Sequence, residues 1–250
     1  MPRATIELRV RRQDSPSAAP RWEEFSIPWQ ANMNVISSLM EVRKRPLTKS
    51  GAPTTPIAWE ASCLEEVCGS CTMRVNGKPR QACAALVDSL PEGPITLEPL
   101  AKFPVVRDLI VDRSPMFDAL KQVKAWIPID GTYDLGPGPR LAESERAEAY
   151  LFARCMTCGC CMEACPQYNE RSDFIGPAPI AQVRLFNAHP TGRMNARERL
   201  DAIMGRGGLS ECGNAQNCVE VCPKEIPLTD AFGELGKQTT ALWVKKLFYK

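Results

Sequence analysis

Twelve cysteines are the residues of this 250-residue chain best suited to chemistry, and they fall in two groups. Four lie between Cys63 and Cys83, and eight between Cys155 and Cys222. Isolated structural cysteines would scatter, so this grouping is what metal ligation requires. Thiolates are soft ligands that suit iron–sulfur clusters and zinc. In a reducing compartment metal binding explains twelve cysteines better than disulfides do. The single histidine, His189, excludes histidine-rich metal sites and leaves little scope for histidine acid–base catalysis.

The first group reads Cys63-x4-Cys68-x2-Cys71, with Cys83 eleven intervening residues later. This is the plant-type ferredoxin spacing for a 2Fe-2S cluster. Three thiolates must come from one tight loop whose amides face the cluster. Gly69 and Ser70 are small enough for that close approach. A zinc site is the alternative, but zinc ribbons use two C-x2-C knuckles and only Cys68 and Cys71 make one here.

The second group opens with Cys155-Met-Thr-Cys158-Gly-Cys160-Cys161-Met-Glu-Ala-Cys165-Pro166. It contains C-x2-C-x2-C-x3-C-P, the bacterial ferredoxin run whose fourth cysteine serves the other cluster. A matching half follows at Cys212-Gly-Asn-Ala215-Gln-Asn-Cys218-Val-Glu-Val-Cys222-Pro223, except that Ala215 replaces a cysteine. Crossing the halves assigns Cys155, Cys158, Cys161 and Cys222 to a 4Fe-4S cluster. Cys165, Cys212 and Cys218 are left for the second centre, and three thiolates predict 3Fe-4S there. Cys160 is the one spare, read as a small buried apolar residue with a weak S–H donor.

The elements that must position these groups follow from periodicity. Thr5–Val10 alternates as a half-buried strand, with Trp22–Ile27 as its hairpin partner. Asn34 caps a short helix in which Val35, Leu39 and Val42 share a face. Thr72–Val75 and the residues after Asn76-Gly77 form a tight hairpin, and Ile95–Leu97 is a further strand. Val105–Ala125 carries Phe117, Leu120 and Val123 at helical spacing. Ile127–Pro139, rich in Pro and Gly, reads as an irregular connection. Ser144–Ala153 is helical. Asn195 with Glu198 resembles a capping box opening a helix that Gly205 ends. Thr229 or Asp230 opens a last helix with Phe232, Leu235 and Leu242.

Lys and Arg number 31 against 29 Asp and Glu, a formal net charge of +2, so nucleic acid is not expected as a partner. No apolar run reaches the ~20 residues of a spanning helix, and no signal core is visible. The chain has no G-x-G-x-x-G dinucleotide loop and no nucleophile–base pair. Its expected work is the passage of single electrons, with a zinc-stapled interaction protein as the alternative from another class.

The motifs resemble the iron–sulfur subunits of succinate dehydrogenase and fumarate reductase. The resemblance rests on Cys63–Cys71, Phe103-Pro-Val-Val-Arg-Asp108, Ala125-Trp-Ile-Pro-Ile-Asp130, Phe174-Ile-Gly-Pro177 and Asn217–Pro223. Gln182–Gly192 is similar to the menaquinone-linked branch of Bacillus-like bacteria. The resemblance implies an α+β fold: a β-grasp 2Fe-2S domain over 1–105, then an all-α ferredoxin domain with the 4Fe-4S and 3Fe-4S clusters over 106–250. It implies electrons passing from the FAD of a flavoprotein subunit, through 2Fe-2S, 4Fe-4S and 3Fe-4S, to a quinone. It further implies a membrane-anchor cytochrome b subunit with haem b, and a peripheral position on the cytoplasmic side of the membrane. The reverse reaction, menaquinol:fumarate reduction, is implied equally. Ubiquinone-linked members carry a tryptophan pair shortly after the first C-P, where this chain has Gln167, Tyr168 and Asn169, and a histidine where this chain has Gly213. Menaquinone is therefore the expected quinone, with Pro166 and Tyr168 in its vicinity. Trp243, Leu247, Phe248 and Tyr249, with Lys245, Lys246 and Lys250, read either as a helix end or as a contact with the membrane subunit.

Overall fold

The computed structural model describes residues 4–128 and 140–248. Most of the Ile127–Pro139 connection, together with Asp130, Tyr249 and Lys250, lies outside the described residues. The elements in chain order are β1 (Thr5–Arg12), β2 (Arg21–Pro28), α1 (Val35–Lys44), β3 (Thr72–Val75), β4 (Lys78–Gln81), β5 (Ile95–Glu98), β6 (Val105–Arg107), β7 (Ile110–Val111), α2 (Ser114–Gln122), α3 (Glu143–Ala153), α4 (Cys160–Ala164), α5 (Pro177–Ala188), α6 (Ala196–Met204), α7 (Asn217–Glu220) and α8 (Leu228–Phe248). They divide into two compact units.

The first unit takes the chain to Arg113 together with Met156–Glu163. Its five-stranded sheet has the order β2-β1-β5-β3-β4. Strands β1 and β5 run parallel, and the other pairs are antiparallel. Alternation along β1 sends Ile6, Leu8 and Val10 inward, where they pack with Phe25, Val35, Leu39, Val75 and Leu97. Asn34 caps α1 as expected: its Oδ1 accepts the Ser37 N–H at 2.8 Å, and the Ser37 hydroxyl closes the capping box. The Asn76-Gly77 turn has φ of 50° and 78°, the left-handed pair that a tight hairpin between right-twisted strands needs.

The same alternation puts Arg12 inside. It is fully buried and pairs with Asp108, Nε to Oδ1 at 2.9 Å and Nη2 to Oδ2 at 3.2 Å. Asp108 also accepts the N–H groups of Gln13 and Ala58. This pair ties the end of β1 to the β6–β7 hairpin, and it overturns the expectation of helical spacing from Val105. Asp108, at φ 47°, turns the chain between two short strands, so the helix begins only at Ser114. In α2 the inward face is Met116 and Ala119, with Val123 buried just past its end, while Phe117 is exposed.

The second unit, Ser114–Cys155 with Ala164–Lys250, is helical. Its core gathers Val123, Phe174, Ile180, Val183, Leu200, Ile203 and Leu235. Helix α5 had no periodic pattern to announce it, because residues on every side of it are buried. Gly176 at φ 95° and Pro177 at the first helical position start it. The Asn195–Glu198 capping box does not form. No side-chain cap bond is present, and Glu198 turns to Lys124 instead. Gly205 ends α6 as expected, while α8 starts at Leu228, slightly before the expected cap.

Arg199 is buried, and among the described residues no carboxylate forms an ion pair with it. Its guanidinium donates to the carbonyls of Lys124, Trp126 and Gly192 and to Asn187 Oδ1, and burial lowers its pKa. His189 ends α5, and its Nδ1 accepts the N–H groups of Thr191 and Gly192, a structural turn. No helix among the described residues is long and apolar enough to cross a membrane.

Candidate iron–sulfur centres

The loop from Cys63 to Cys71 is wound so that its amides point at sulfur. Leu64 and Glu66 adopt φ of 61° and 56°, a conformation that costs a non-glycine residue roughly 1–3 kcal/mol. The result is a fan of donors: the N–H groups of Glu65, Val67 and Cys68 each lie 3.4 Å from Cys63 Sγ. The Ser70 N–H donates to Cys68 Sγ at 3.5 Å, and the Cys68 S–H donates to the Ser70 hydroxyl at 3.4 Å, a hydroxyl that donates in turn once the sulfur is a thiolate. That hydroxyl is the main reason the Cys68 thiol falls to about 6. Donors aimed at sulfur favour the thiolate, the form that binds iron.

Gly69, at φ 74°, has no room for a side chain. A Cβ there would sit 2.9 Å from Met156 O and 3.0 Å from Cys158 Cβ. Arg113 holds the loop from its other side, donating to the carbonyls of Gly69 at 2.9 Å and Ser70 at 2.8 Å. Its Nε–H is buried and has no hydrogen-bond partner among the described residues.

Cys71 and Cys83 belong to the β3–β4 hairpin. The register pairs Thr72 with Gln81, so Cys71 immediately precedes β3 and Cys83 lies two residues past β4. The Ala82 N–H donates to Cys71 O at 3.1 Å. Asn34, the cap of α1, also donates from Nδ2 to Cys83 O at 2.9 Å. Burial pushes the Cys71 thiol up to about 12, opposite to Cys68. Iron charge offsets such a cost, because a coordinating thiol is deprotonated outright. Four sulfurs, a donor fan and a glycine cradle fit a 2Fe-2S cluster.

Cys158, Cys160 and Cys161 lie in the first unit, around the start of α4. Cys160 is completely buried. Its hydrogen bond to Cys158 is the main reason the Cys158 thiol falls to about 7, and the same bond pushes Cys160 up. Cys160 therefore keeps its proton and acts as donor. Glu163 accepts the N–H groups of Ala101 and Lys102, both at 3.0 Å, anchoring α4 beside β5.

In the second unit, Cys155 follows α3, its N–H donating to Phe152 O. Cys222 follows α7, and its Sγ accepts the Ile226 N–H at 3.5 Å. Cys165, Cys212 and Cys218 line one small cavity together with Ala215, Phe174 and Phe232. Asn214 and Gln216, at φ of 53° and 62°, turn the chain on either side of Ala215. Asn217 Nδ2 holds Ala164 O at 3.1 Å, so the two cysteine loops of this unit are tied. Burial, the largest cause, raises the Cys218 thiol to about 11, and the Cys165 sulfur adds to it. Three thiols and one methyl around a cavity fit a centre lacking one iron corner.

The two quinone-vicinity residues differ in exposure. Pro166 is exposed at the edge of this cavity. Tyr168 is half-buried against the second core, its N–H donating to Cys165 O at 3.2 Å, and burial raises its pKa. At Gly213 a Cβ would lie 2.4 Å from Gln167 Nε2, so a side chain there requires the Gln167 carboxamide to move aside. Sequence reasoning missed Ser70 as a sulfur donor, Arg113 as the loop's clamp and Gln81 beside Cys71. None carries a spacing signal, because each acts through a fold contact.

Comparison with known proteins agrees with these centres. Residues 7–118 match the family of 2Fe-2S iron–sulfur cluster binding domains, and residues 152–226 match the 4Fe-4S dicluster domain. The chain is 59% identical over 244 residues to the succinate dehydrogenase iron–sulfur subunit of Bacillus subtilis, covering 98% of this chain and 96% of that protein. It is 30% identical to the fumarate reductase iron–sulfur subunit of Wolinella succinogenes, covering 95% and 98%. A solved structure, the Mycobacterium smegmatis Sdh1 complex in the apo form, shares the fold with a TM-score of 0.80 at 24% identity, covering 95% of this chain and 96% of that one. The zinc-stapled alternative is set aside by these matches. With iron–sulfur cysteine loops of both kinds and a full-length match at 59% identity, the chain belongs to the family of succinate dehydrogenase and fumarate reductase iron–sulfur subunits.

Proposed function

We propose that this chain is the electron-transfer subunit of a membrane-bound succinate:menaquinone oxidoreductase. It docks on a flavoprotein subunit that holds FAD and on a cytochrome b anchor with haem b, peripherally on the cytoplasmic side of the membrane. Cys63, Cys68, Cys71 and Cys83 hold 2Fe-2S, and Cys155, Cys158, Cys161 and Cys222 hold 4Fe-4S. Cys165, Cys212 and Cys218 hold 3Fe-4S. When bound, such clusters accept and release one electron at a time.

The protein's own part is to bind and tune. The amide fan on Cys63 and the Ser70 hydroxyl stabilise thiolate charge. Arg113 fixes the loop, and the Phe174–Phe232 wall covers the three-thiol cavity. The observation that carries the reading is that cavity, where Ala215 stands among Cys165, Cys212 and Cys218. Pro166 at its edge and Tyr168 beside it are assigned to the quinone's vicinity. Trp243, Leu247 and Phe248 leave an apolar exposed end on α8, which supports contact with the anchor.

Co-purification from native membrane, with flavin, haem and iron quantified per mole of this chain, tests the proposal. About nine irons and ten sulfides are expected. A zinc-loaded or colourless chain, or one free of flavoprotein, would overturn it. The reverse reaction, menaquinol:fumarate reduction, is a second reading favoured by the full-length match to a fumarate reductase subunit. Succinate-driven against quinol-driven turnover of the same preparation separates the two.

A further inference from the structure

Arg113 meets the Cys63–Cys71 loop with both tips of its guanidinium fork. Nη1 donates to Gly69 O at 2.9 Å and Nη2 to Ser70 O at 2.8 Å, the two carbonyls between Cys68 and Cys71. The side chain is largely buried, and its Nε–H has no hydrogen-bond partner among the described residues. Two donors are enough for a clamp, and a third one buried and unmet carries a cost. What an arginine brings beyond a clamp is a permanent positive charge. Its ion-pair partner, Glu60, lies 3.8 Å from Nη2 with its side chain about half exposed. Water therefore screens that carboxylate more than it screens the buried cation.

The Gly69 carbonyl that Nη1 holds and the N–H of Ser70 are the two ends of one peptide group. That N–H donates to Cys68 Sγ at 3.5 Å. Guanidinium, peptide and sulfur thus form one chain of hydrogen bonds, with every donor pointing toward the sulfur. Hydrogen bonds in such a chain polarise one another, and a low local dielectric strengthens them. Protein rather than water packs against the loop at Gly69, where a Cβ would meet Met156 O at 2.9 Å and Cys158 Cβ at 3.0 Å.

We propose that Arg113 is a positioning residue of the 2Fe-2S centre whose charge acts on Cys68 through the Gly69–Ser70 peptide and raises the potential of the cluster. Reduction adds negative charge to the cluster and its sulfurs. A cation beside the loop, and an N–H donor strengthened by that cation, both stabilise the reduced state. Arg113 therefore makes this centre a better electron acceptor, and Glu60 offsets part of the effect. The proposal rests on Cys68 as a 2Fe-2S ligand.

The test is redox-poised EPR of the purified complex, with the 3Fe-4S centre, whose cavity Arg113 does not line, as internal reference. Arg113→Gln keeps a donor and removes the charge. Its 2Fe-2S midpoint should fall by about tenfold in the one-electron equilibrium, or about 59 mV, while the 3Fe-4S midpoint stays. Arg113→Lys keeps the charge and gives up the fork, and should stay within about threefold of the native complex, or about 28 mV. A 2Fe-2S signal at an unchanged or raised midpoint in Arg113→Gln overturns the proposal and leaves the ligand assignment standing. So does a fall in Arg113→Lys as large as in Arg113→Gln, which would make the fork the cause, or an equal fall at the 3Fe-4S centre. An unaltered 2Fe-2S signal in Cys68→Ser overturns the ligand assignment itself. Where Arg113→Gln fails to assemble, Glu60→Gln decides, because that half-exposed side chain can change without touching the clamp. With the opposing charge gone the 2Fe-2S midpoint should rise by about twofold, or about 18 mV, and an unchanged or lower midpoint overturns the proposal.

Discussion

The Cys63–Cys83 site and the Ala215 cavity solve the same problem by different means. At the first, the backbone does most of the work. Three amides converge on Cys63 Sγ, a glycine admits the neighbouring chain, and a hairpin register sets the last two sulfurs. At the second, a count decides. Three sulfurs and one methyl line a cavity between two turns. The difference teaches that the first site is specified by donor geometry and the second by ligand number. Each should fail accordingly.

The largest effect is expected at Cys83. Cys83→Ala should abolish the 2Fe-2S EPR signal while the signals of the other centres persist. Loss of every signal would mean instead that the hairpin holds the whole chain, and the comparison of separate sites would fall. Next comes Ala215→Cys. A fourth thiolate should let the cavity take a fourth iron, so the 3Fe-4S signal should be replaced by a 4Fe-4S signal of lower potential. An unchanged 3Fe-4S signal would break the ligand count.

A smaller effect is expected at Gly69. Gly69→Ala forces a Cβ to within 2.9 Å of Met156 O at positive φ, a strain of roughly 1–3 kcal/mol. It should lower the thermal midpoint and reduce 2Fe-2S occupancy, measured by denaturation and iron analysis, and leave the cavity loaded. Equal loss at both sites would contradict separate specification. The smallest effect is at Ser70. With the hydroxyl in place, the Cys68 thiol of the iron-free chain loses its proton near pH 6. Ser70→Ala removes the largest cause, so deprotonation moves to higher pH. Alkylation of Cys68 should then be slower at pH 7 and recover only as pH rises. An unmoved pH profile would show that the backbone amides alone set this thiol.

Much of this was legible in the chain itself. The alternation of β1, the Asn34 cap and the Asn76-Gly77 turn are local signals, and the structure follows them. The helical spacing after Val105 misled because Asp108 is captured by Arg12, a residue 96 positions away. Helix α5 was silent because it is buried on every side and so carries no amphipathic stripe. Ser70, Arg113 and Gln81 were silent because hydrogen bonds to a sulfur or a carbonyl leave no periodicity.

Cysteine spacing alone determined the number and type of thiolates available to each centre and the gap at Ala215, because ligand identity and loop length are properties of the chain. Which amides face Cys63, why Gly69 admits nothing larger, and that Gln81 lies between Cys71 and Cys160 were decided only by the tertiary structure. Hydrogen bonds to a ligand act over a few ångströms, and segments far apart in sequence reach that distance only when the sheet and its hairpin have closed.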